Sequence, residues 1–396
     1  MEISNKVLVC GTDNLTTLGI VRELGSQKIP FTFISIGKSQ VVASSVYCKE
    51  VITVNNFDAC VQHLKSAYCN ESHKPILIVS SDRLAYMFDS YQDSDFSMHI
   101  LPCTKNPGTL LFYTNKYNMQ LLAQEVGINC LESIKINRNS ELDAITYPCF
   151  LKPCIECKGH YNEFKYKICK NKKELEKTLK MVRPESEFVA QRFLQKESEL
   201  VVYGCRMRDG KTIISGVMYQ DRFAESGFAS HGFVTKEIPT SIDIAKIILF
   251  LEKIDYYGPF DFEFAIENGV PYYMETNFRC VGPTCFFNKA GANVLTAYVY
   301  SCAGLPYDSV SYTVKHDAWC IDDMYDIENV LTWKISYKAW KQSKADASIM
   351  RFYDEYDIQP YKAEQKRRFI QICKDIIVKR FRVYIVYWGD KLGLRK

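Results

Sequence analysis

Two alternating stretches, Phe260–Ile266 and Pro271–Asn277, bring together Asp261, Glu263, Glu275 and Asn277, all side chains with hard oxygen donors. In an extended chain successive side chains point to opposite faces. Glu267-Asn268-Gly269 reads as a three-residue loop with glycine in the left-handed position, which closes the two stretches into a hairpin. That register predicts Asp261, Glu263, Tyr273, Glu275 and Asn277 on one face, and Phe262, Phe264, Ile266, Tyr272, Met274 and Thr276 on the other. Carboxylates crowded on one face repel each other unless a cation lies between them. Glu263, Glu275 and the amide of Asn277 suit magnesium shared with phosphate oxygens. An exposed polar face of an antiparallel sheet gives the same alternation, so the pattern alone leaves both readings open. Arg279 is placed to steady a transferring phosphoryl group, and taken singly it also fits a surface arginine.

These residues need a scaffold. The segments KVLVCG, FTFISIG, PILIVSSD and HILPC alternate with helical patterns such as Thr17–Gln27, which predicts a parallel sheet with covering helices over residues 1–110. No G-x-G-x-x-G follows the first strand, which argues against a nicotinamide or flavin and for substrate contacts and packing. An α+β region over residues 111–305 holds predicted helices at Thr114–Gly127, Asn171–Val182 and Ser241–Lys253. Its strands include YPCFLKP, EFVAQRFL and Val201–Val217. After Gly304-Leu305-Pro306 the composition turns to Trp, Tyr and Lys, and residues 306–396 form an extension.

Composition sets outer bounds. A chain of 396 residues with 47% hydrophobic and 24% charged residues is ordinary globular material. No run reaches the ~20 apolar residues that span a bilayer, and the start lacks the apolar core of a secretion signal, so the expected location is the cytoplasm. The 16 cysteines are scattered singly, as reduced buried thiols rather than a disulfide framework. A net charge of +4 is too small to imply a nucleic-acid partner.

The segment Glu263-Phe-Ala-Ile…Gly269…Tyr-Met-Glu275-Thr-Asn277-Phe-Arg279 resembles the metal-binding hairpin of ATP-grasp enzymes, particularly carbamoyl-phosphate-synthase-like ligases. Lys289-Ala-Gly291-Ala-Asn293 is similar to the segment that follows it in that family. The resemblance implies an ATP-grasp fold over residues 111–305, with a nucleotide lid over about 125–195, behind an amino-terminal parallel-sheet domain. The extension after residue 305 lies outside that resemblance and is expected to be helical. The resemblance implies ATP and magnesium, two ions or manganese in their place, with Glu263, Glu275 and Asn277 as metal ligands. Lys116 and Lys152 resemble the family's two nucleotide-binding lysines, and Gly159 lies in the loop that closes over the triphosphate. Gln191, Phe193 and Leu194 match the strand that reads adenine, and Glu199 the carboxylate that meets the ribose. Arg279, Arg222 and Lys152 take the catalytic positions at the phosphates or substrate carboxylate.

The implied reaction joins a carboxylate to an amine through an acyl phosphate. The chain resembles D-aspartate ligases and related amino-acid ligases acting on cell-wall or surface-polysaccharide precursors, a likeness that implies small-molecule carboxylate and amine substrates and admits a lipid-linked or nucleotide-sugar acceptor. Alternatives are a non-catalytic nucleotide binder and a carboxylase or purine-pathway enzyme of the same family. The chain departs from the pattern at Phe278, where the family has proline, at Gln191, where glutamate is commoner, and in a phosphate loop with few glycines. None of these removes a metal ligand.

Three segments admit a second reading. Cys149, Cys154, Cys157 and His160 contain one C-x-x-C, an incomplete set for structural zinc. Asp82, at the end of a strand, either caps a helix or helps select the acceptor. The ending KRRFIQICKDIIVKRFRVYIVYWGDKLGLRK either packs as an amphipathic helix or makes peripheral contact with an anionic membrane.

Overall fold

The computed structural model describes residues 3–91, 99–101, 104, 106–155, 164–224 and 227–371. The first layer is a five-stranded parallel sheet: β1 (Val7–Gly11), β2 (Thr32–Ile36), β3 (Glu50–Val54), β4 (Ile76–Val79) and β5 (His99–Leu101), in the order β3-β2-β1-β4-β5. β1 and β4 are buried throughout, as the central strands of a sheet covered on both faces must be. Helices α1 (Leu15–Ser26), α2 (Phe57–Tyr68) and α3 (Asp82–Asp89) cover it. Each starts on a side chain that accepts from its first turn: Asn14, Asn56 and Ser81.

Helices α4 (Thr109–Tyr113) and α5 (Lys116–Glu125) lead to a small antiparallel sheet, β6 (Ile134–Ile136), β7 (Cys149–Pro153), β8 (Lys167–Cys169) and β9 (Phe188–Arg192), ordered β6-β9-β7-β8. With α6 (Lys172–Met181) it encloses its own core around Cys149, Leu151, Leu175 and Phe188. The large sheet follows: β10 (Ser198–Arg206), β11 (Thr212–Phe223), β12 (Ala229–Thr235), α7 (Ile244–Lys253), β13 (Gly258–Glu267) and β14 (Val270–Asn277). Helices α8 (Thr284–Lys289) and α9 (Val294–Cys302) pack against α1, so one apolar cluster runs from the first sheet into the large one.

The extension is helical in α10 (Asp323–Leu331), α11 (Tyr337–Asp346) and residues 358–371. It also adds two strands: β15 (Ala318–Ile321) pairs with β12, and β16 (Ile349–Met350) pairs with β15. The large sheet is thus seven-stranded and continues past residue 305.

The hairpin differs from its predicted register. Glu267 pairs with Val270, leaving a two-residue turn, Asn268-Gly269, with φ of 52° and 73°. Both central residues in the left-handed region define the turn type whose twist matches a hairpin. Asp261 faces Asn277 and Glu263 faces Glu275, but Phe264 faces Tyr273, so Met274 is an extra residue in β14. The bulge leaves ladder groups over, and neighbours take them: Tyr273 N donates to Asn129 O at 2.8 Å, and Gln120 Nε2 to Met274 O at 2.8 Å. Tyr273 therefore turns into the core beside Phe250, Phe262 and Phe264, away from the acidic face assigned to it by strict alternation.

Candidate active site

The carboxylate row occupies one face of the hairpin. Asn277 Nδ2 donates to Asp261 Oδ1 at 2.8 Å and to Glu263 Oε1 at 3.0 Å, so one amide serves two acids. Asn277 Oδ1 accepts from Arg279 Nη2 at 3.1 Å, and the same Nη2 lies 2.8 Å from Asp82 Oδ2. Lys116 Nζ lies 3.0 Å from Glu275 Oε2. Asp261 Oδ2 is buried without a hydrogen-bond partner.

The row is electrostatically uneven. Burial pushes Glu263 well above the usual carboxylate range, and the charges of Asp261, Glu275 and Glu199 add to the shift. Burial lifts Asp261 to about 7, against the Asn277 hydrogen bond and Arg279. Glu275 goes the other way: the Lys116 charge draws it down to about 2 against burial, with Lys152 assisting. Lys152 is itself lowered by burial, with Glu275 opposing.

The lysines are placed by their elements. Asn115 Oδ1 accepts from Tyr117 N at 3.0 Å and starts α5, with Lys116 in its first turn. Lys116 N donates to Cys154 O at 2.8 Å, which ties α5 to the end of β7 and brings the two lysine-bearing segments together. Along β7, Phe150 lies opposite Gln191 and Lys152 opposite Val189, so Phe150, Lys152 and Gln191 share one face of the small sheet. Gln191 Nε2 donates to Ser133 Oγ at 2.8 Å beside a cavity of ≈ 210 Å³ lined by Glu132, Ile134, Ile145, Thr146 and Arg192. Phe193 N donates to Pro148 O at 2.9 Å, and Leu194 is half-buried in the link to β10. Glu199 lies opposite Ala265 of β13, two residues from Glu263 on the same face, and pairs with Lys196 at 2.5 Å.

One expected position does not join this group. Arg222 Nε and Nη2 bind Asp326 Oδ1 and Oδ2 at 3.1 and 2.9 Å, so its guanidinium is engaged by α10 of the extension. Gly159 lies outside the described residues, as do Cys157 and His160. Cys149 and Cys154 are buried, and burial raises their thiols to about 11 and about 12.

Two residues gain a place that the sequence did not assign. Asp261 was on the predicted face but not among the expected ligands. Asp82 was read as a cap or an acceptor contact; Ser81 makes the cap, and Asp82 reaches across to Arg279. That ion pair joins the end of β4 to the hairpin. Beside it, Thr17 Oγ1 donates to Ser80 Oγ at 2.8 Å, and a Cβ on Gly11 would lie 2.3 Å from Ser80 Oγ, so β1 and β4 meet too closely for a larger residue.

Among the described residues no three His, Cys, Asp or Glu groups already converge on a metal position. The hairpin nonetheless carries hard oxygen atoms of the kind magnesium takes: the crowded carboxylates, with Asp261 Oδ2 unpartnered, and the Asn277 amide oxygen, which here accepts from Arg279 while the amide nitrogen faces the acids.

No protein-family model and no curated protein sequence matches the chain. Solved structures do. The ADP complex of N5-carboxyaminoimidazole ribonucleotide synthetase (PurK) superposes with a TM-score of 0.64 at 14% identity, over 84% of this chain and 86% of that one. The L-amino acid ligase of Bacillus licheniformis gives 0.61 at 14% identity, over 81% and 80%. The Thermotoga maritima N5-carboxyaminoimidazole ribonucleotide synthetase gives 0.58 at 17% identity, over 79% of each chain. The chain has the ATP-grasp fold of these ligases.

Proposed function

We propose that the protein is an ATP-dependent carboxylate–amine ligase. The observation that carries the reading is the row of Asp261, Glu263, Glu275 and Asn277 facing Lys116, within a fold shared with structures of such ligases. A carboxylate is a poor electrophile because resonance and charge resist attack. Its oxygen displaces ADP from the γ-phosphorus to give an acyl phosphate. The amine nitrogen then attacks the carbonyl carbon, and the tetrahedral oxyanion collapses with loss of phosphate and a proton.

Each residue has a task in that sequence. Lys116 and Lys152 neutralise phosphate charge, and Gln191, Phe193 and Leu194 form the adenine side of the pocket. Glu199 meets the ribose. Arg279, fixed by Asp82 and Asn277, steadies the transferring phosphoryl group. Glu263, Glu275 and Asn277, with Asp261, would hold magnesium, which supplies Lewis-acid charge neutralisation when bound.

For substrates, the amino-acid ligase reading is supported by the likeness to the Bacillus licheniformis enzyme, with a cell-wall or surface-polysaccharide precursor as acceptor. A cytoplasmic enzyme at the inner face of a membrane, touching it through the basic carboxy-terminus, suits a lipid-linked acceptor. No helix among the described residues is long and apolar enough to cross a membrane. The second reading, a purine-pathway carboxylation, is favoured by the PurK-type likenesses, one a complex with ADP and 5-aminoimidazole ribonucleotide.

ADP release from ATP and Mg²⁺ tests both readings. The panel holds D- and L-amino acids, nucleotide-sugar acids, and aminoimidazole ribonucleotide with bicarbonate. Substrate-dependent ADP that disappears in Glu275→Ala is the expected result. ATP binding without turnover across the panel would favour a non-catalytic nucleotide binder.

A further inference from the structure

The segment from the end of α10 through α11 is unlike the rest of the surface. α11 has no buried residue, so burial of apolar surface does not account for its position. Leu331 is 66% exposed, Trp333 93% and Tyr337 60%. Trp333 sits at φ 61°, a left-handed backbone that bulky residues avoid, and it holds its indole in solvent. Lys334, Lys338, Lys341 and Lys344 are interleaved with these side chains, and no Asp or Glu occurs between Asn329 and Ala345. Tyr337 stacks on Trp340 at 5.7 Å, and Lys344 reaches back to Asp323 at 2.5 Å, which docks one edge of α11 on α10 and leaves the other outward.

We propose that the face of Leu331, Trp333, Lys334, Tyr337, Lys338 and Lys341 docks the protein on the surface of an anionic lipid bilayer. Exposed tryptophan, tyrosine and leucine beside the lysines of a stretch whose sequence holds no Asp or Glu match the layered chemistry of a headgroup region, where amphipathic rings and ammonium groups both find partners. A neighbouring helix carries similar chemistry. Residues 358–371 lie against α10 through Arg368, which pairs with Glu328 and covers the Tyr325 ring at 4.1 Å. That helix carries exposed Phe369 and Ile370 next to Lys366, Arg367 and Arg368. The sequence beyond it keeps the basic and aromatic character. α10 also holds Arg222 through Asp326, so the docking face and the large sheet share one helix. The inference stands without the ligase reading, since it concerns a surface and not the hairpin.

Flotation of the full chain with vesicles tests it, comparing phosphatidylcholine alone with phosphatidylcholine containing phosphatidylglycerol. Binding to the anionic vesicles only, weakened by added salt, is expected. Lys338→Glu with Lys341→Glu should lower the partition coefficient by more than about 25-fold, at roughly fivefold per lysine lost. Trp333→Ala should lower it by about tenfold. These side chains are exposed, so the thermal midpoint and ADP release should stay as in the wild type. Unchanged flotation of the variants would overturn the proposal, as would equal binding to neutral vesicles or no binding by the wild type. A wild-type dimer that Trp333→Ala dissociates, without vesicle binding, would assign the face to a second copy instead.

Discussion

Two acidic clusters in this chain are handled in opposite ways. In the extension three buried carboxylates each face an arginine: Asp357 binds Arg22 at 2.9 Å, Asp326 binds Arg222 at 2.9 Å, and Asp322 binds Arg351 at 3.3 Å. Asp357 also accepts from Ser45 Oγ and Val46 N, both at 2.8 Å. At the hairpin Asp261 and Glu263 share the amide of Asn277, and Arg279 is held by Asp82 and Asn277. Matched charge locks the extension onto the amino-terminal layer. At the hairpin burial instead raises Asp261 and Glu263 beside one shared amide, the arrangement we propose takes up magnesium, and perturbed carboxylates of this kind concentrate where binding and catalysis occur.

The contrast can be broken at either cluster. Asp357→Ala should destabilise the fold by about 3–5 kcal/mol, because it leaves Arg22 buried without its partner, while turnover per folded molecule stays unchanged. Denaturant titration with an activity measurement reads both. Glu275→Ala should do the reverse, lowering ADP release by about 10²–10³-fold with little loss of stability. Asp82→Asn should slow turnover by roughly tenfold, since it removes a fixed partner from Arg279 and leaves the hairpin intact. An effect of Asp82→Asn on stability alone would make that ion pair a strut between domains.

A third kind of buried acid sharpens the comparison. Glu23 of α1 accepts from Thr296 N at 3.0 Å, its other oxygen has no partner, and burial raises it to about 8. The folded state keeps this proton where the unfolded chain, near 4.5, has lost it. Stability contributed here is therefore full below about pH 4.5 and falls as pH rises toward 8. Glu23→Gln should remove a slope on the order of 1 kcal/mol per pH unit in that window, read by denaturation at pH 5, 6.5 and 8.

Much of this was legible in the residues. The alternation of Phe260–Ile266, the helix carrying Lys116 and the strand carrying Lys152 all fall where periodicity and caps place them. Tyr273 was misplaced because a single inserted residue reverses facing, and the groups that hold the bulge, Asn129 and Gln120, are far away in sequence. The Asp82–Arg279 pair and the pairing of β15 with β12 were hidden for the same reason, as both are long-range contacts that no local pattern encodes. Arg222 carried no sequence signal separating a phosphate contact from the ion pair it makes with Asp326.

The most direct test of the hairpin's role is equilibrium binding of ATP with and without Mg²⁺, in the wild type and in Glu263→Gln/Glu275→Gln. The carboxylate row repels the triphosphate, so Mg²⁺ should tighten wild-type binding by at least about tenfold and leave the double variant nearly insensitive. Equal ATP affinity with Mg²⁺ and with EDTA in the wild type, or full magnesium dependence in the double variant, would contradict the assignment of these residues to a metal–nucleotide site.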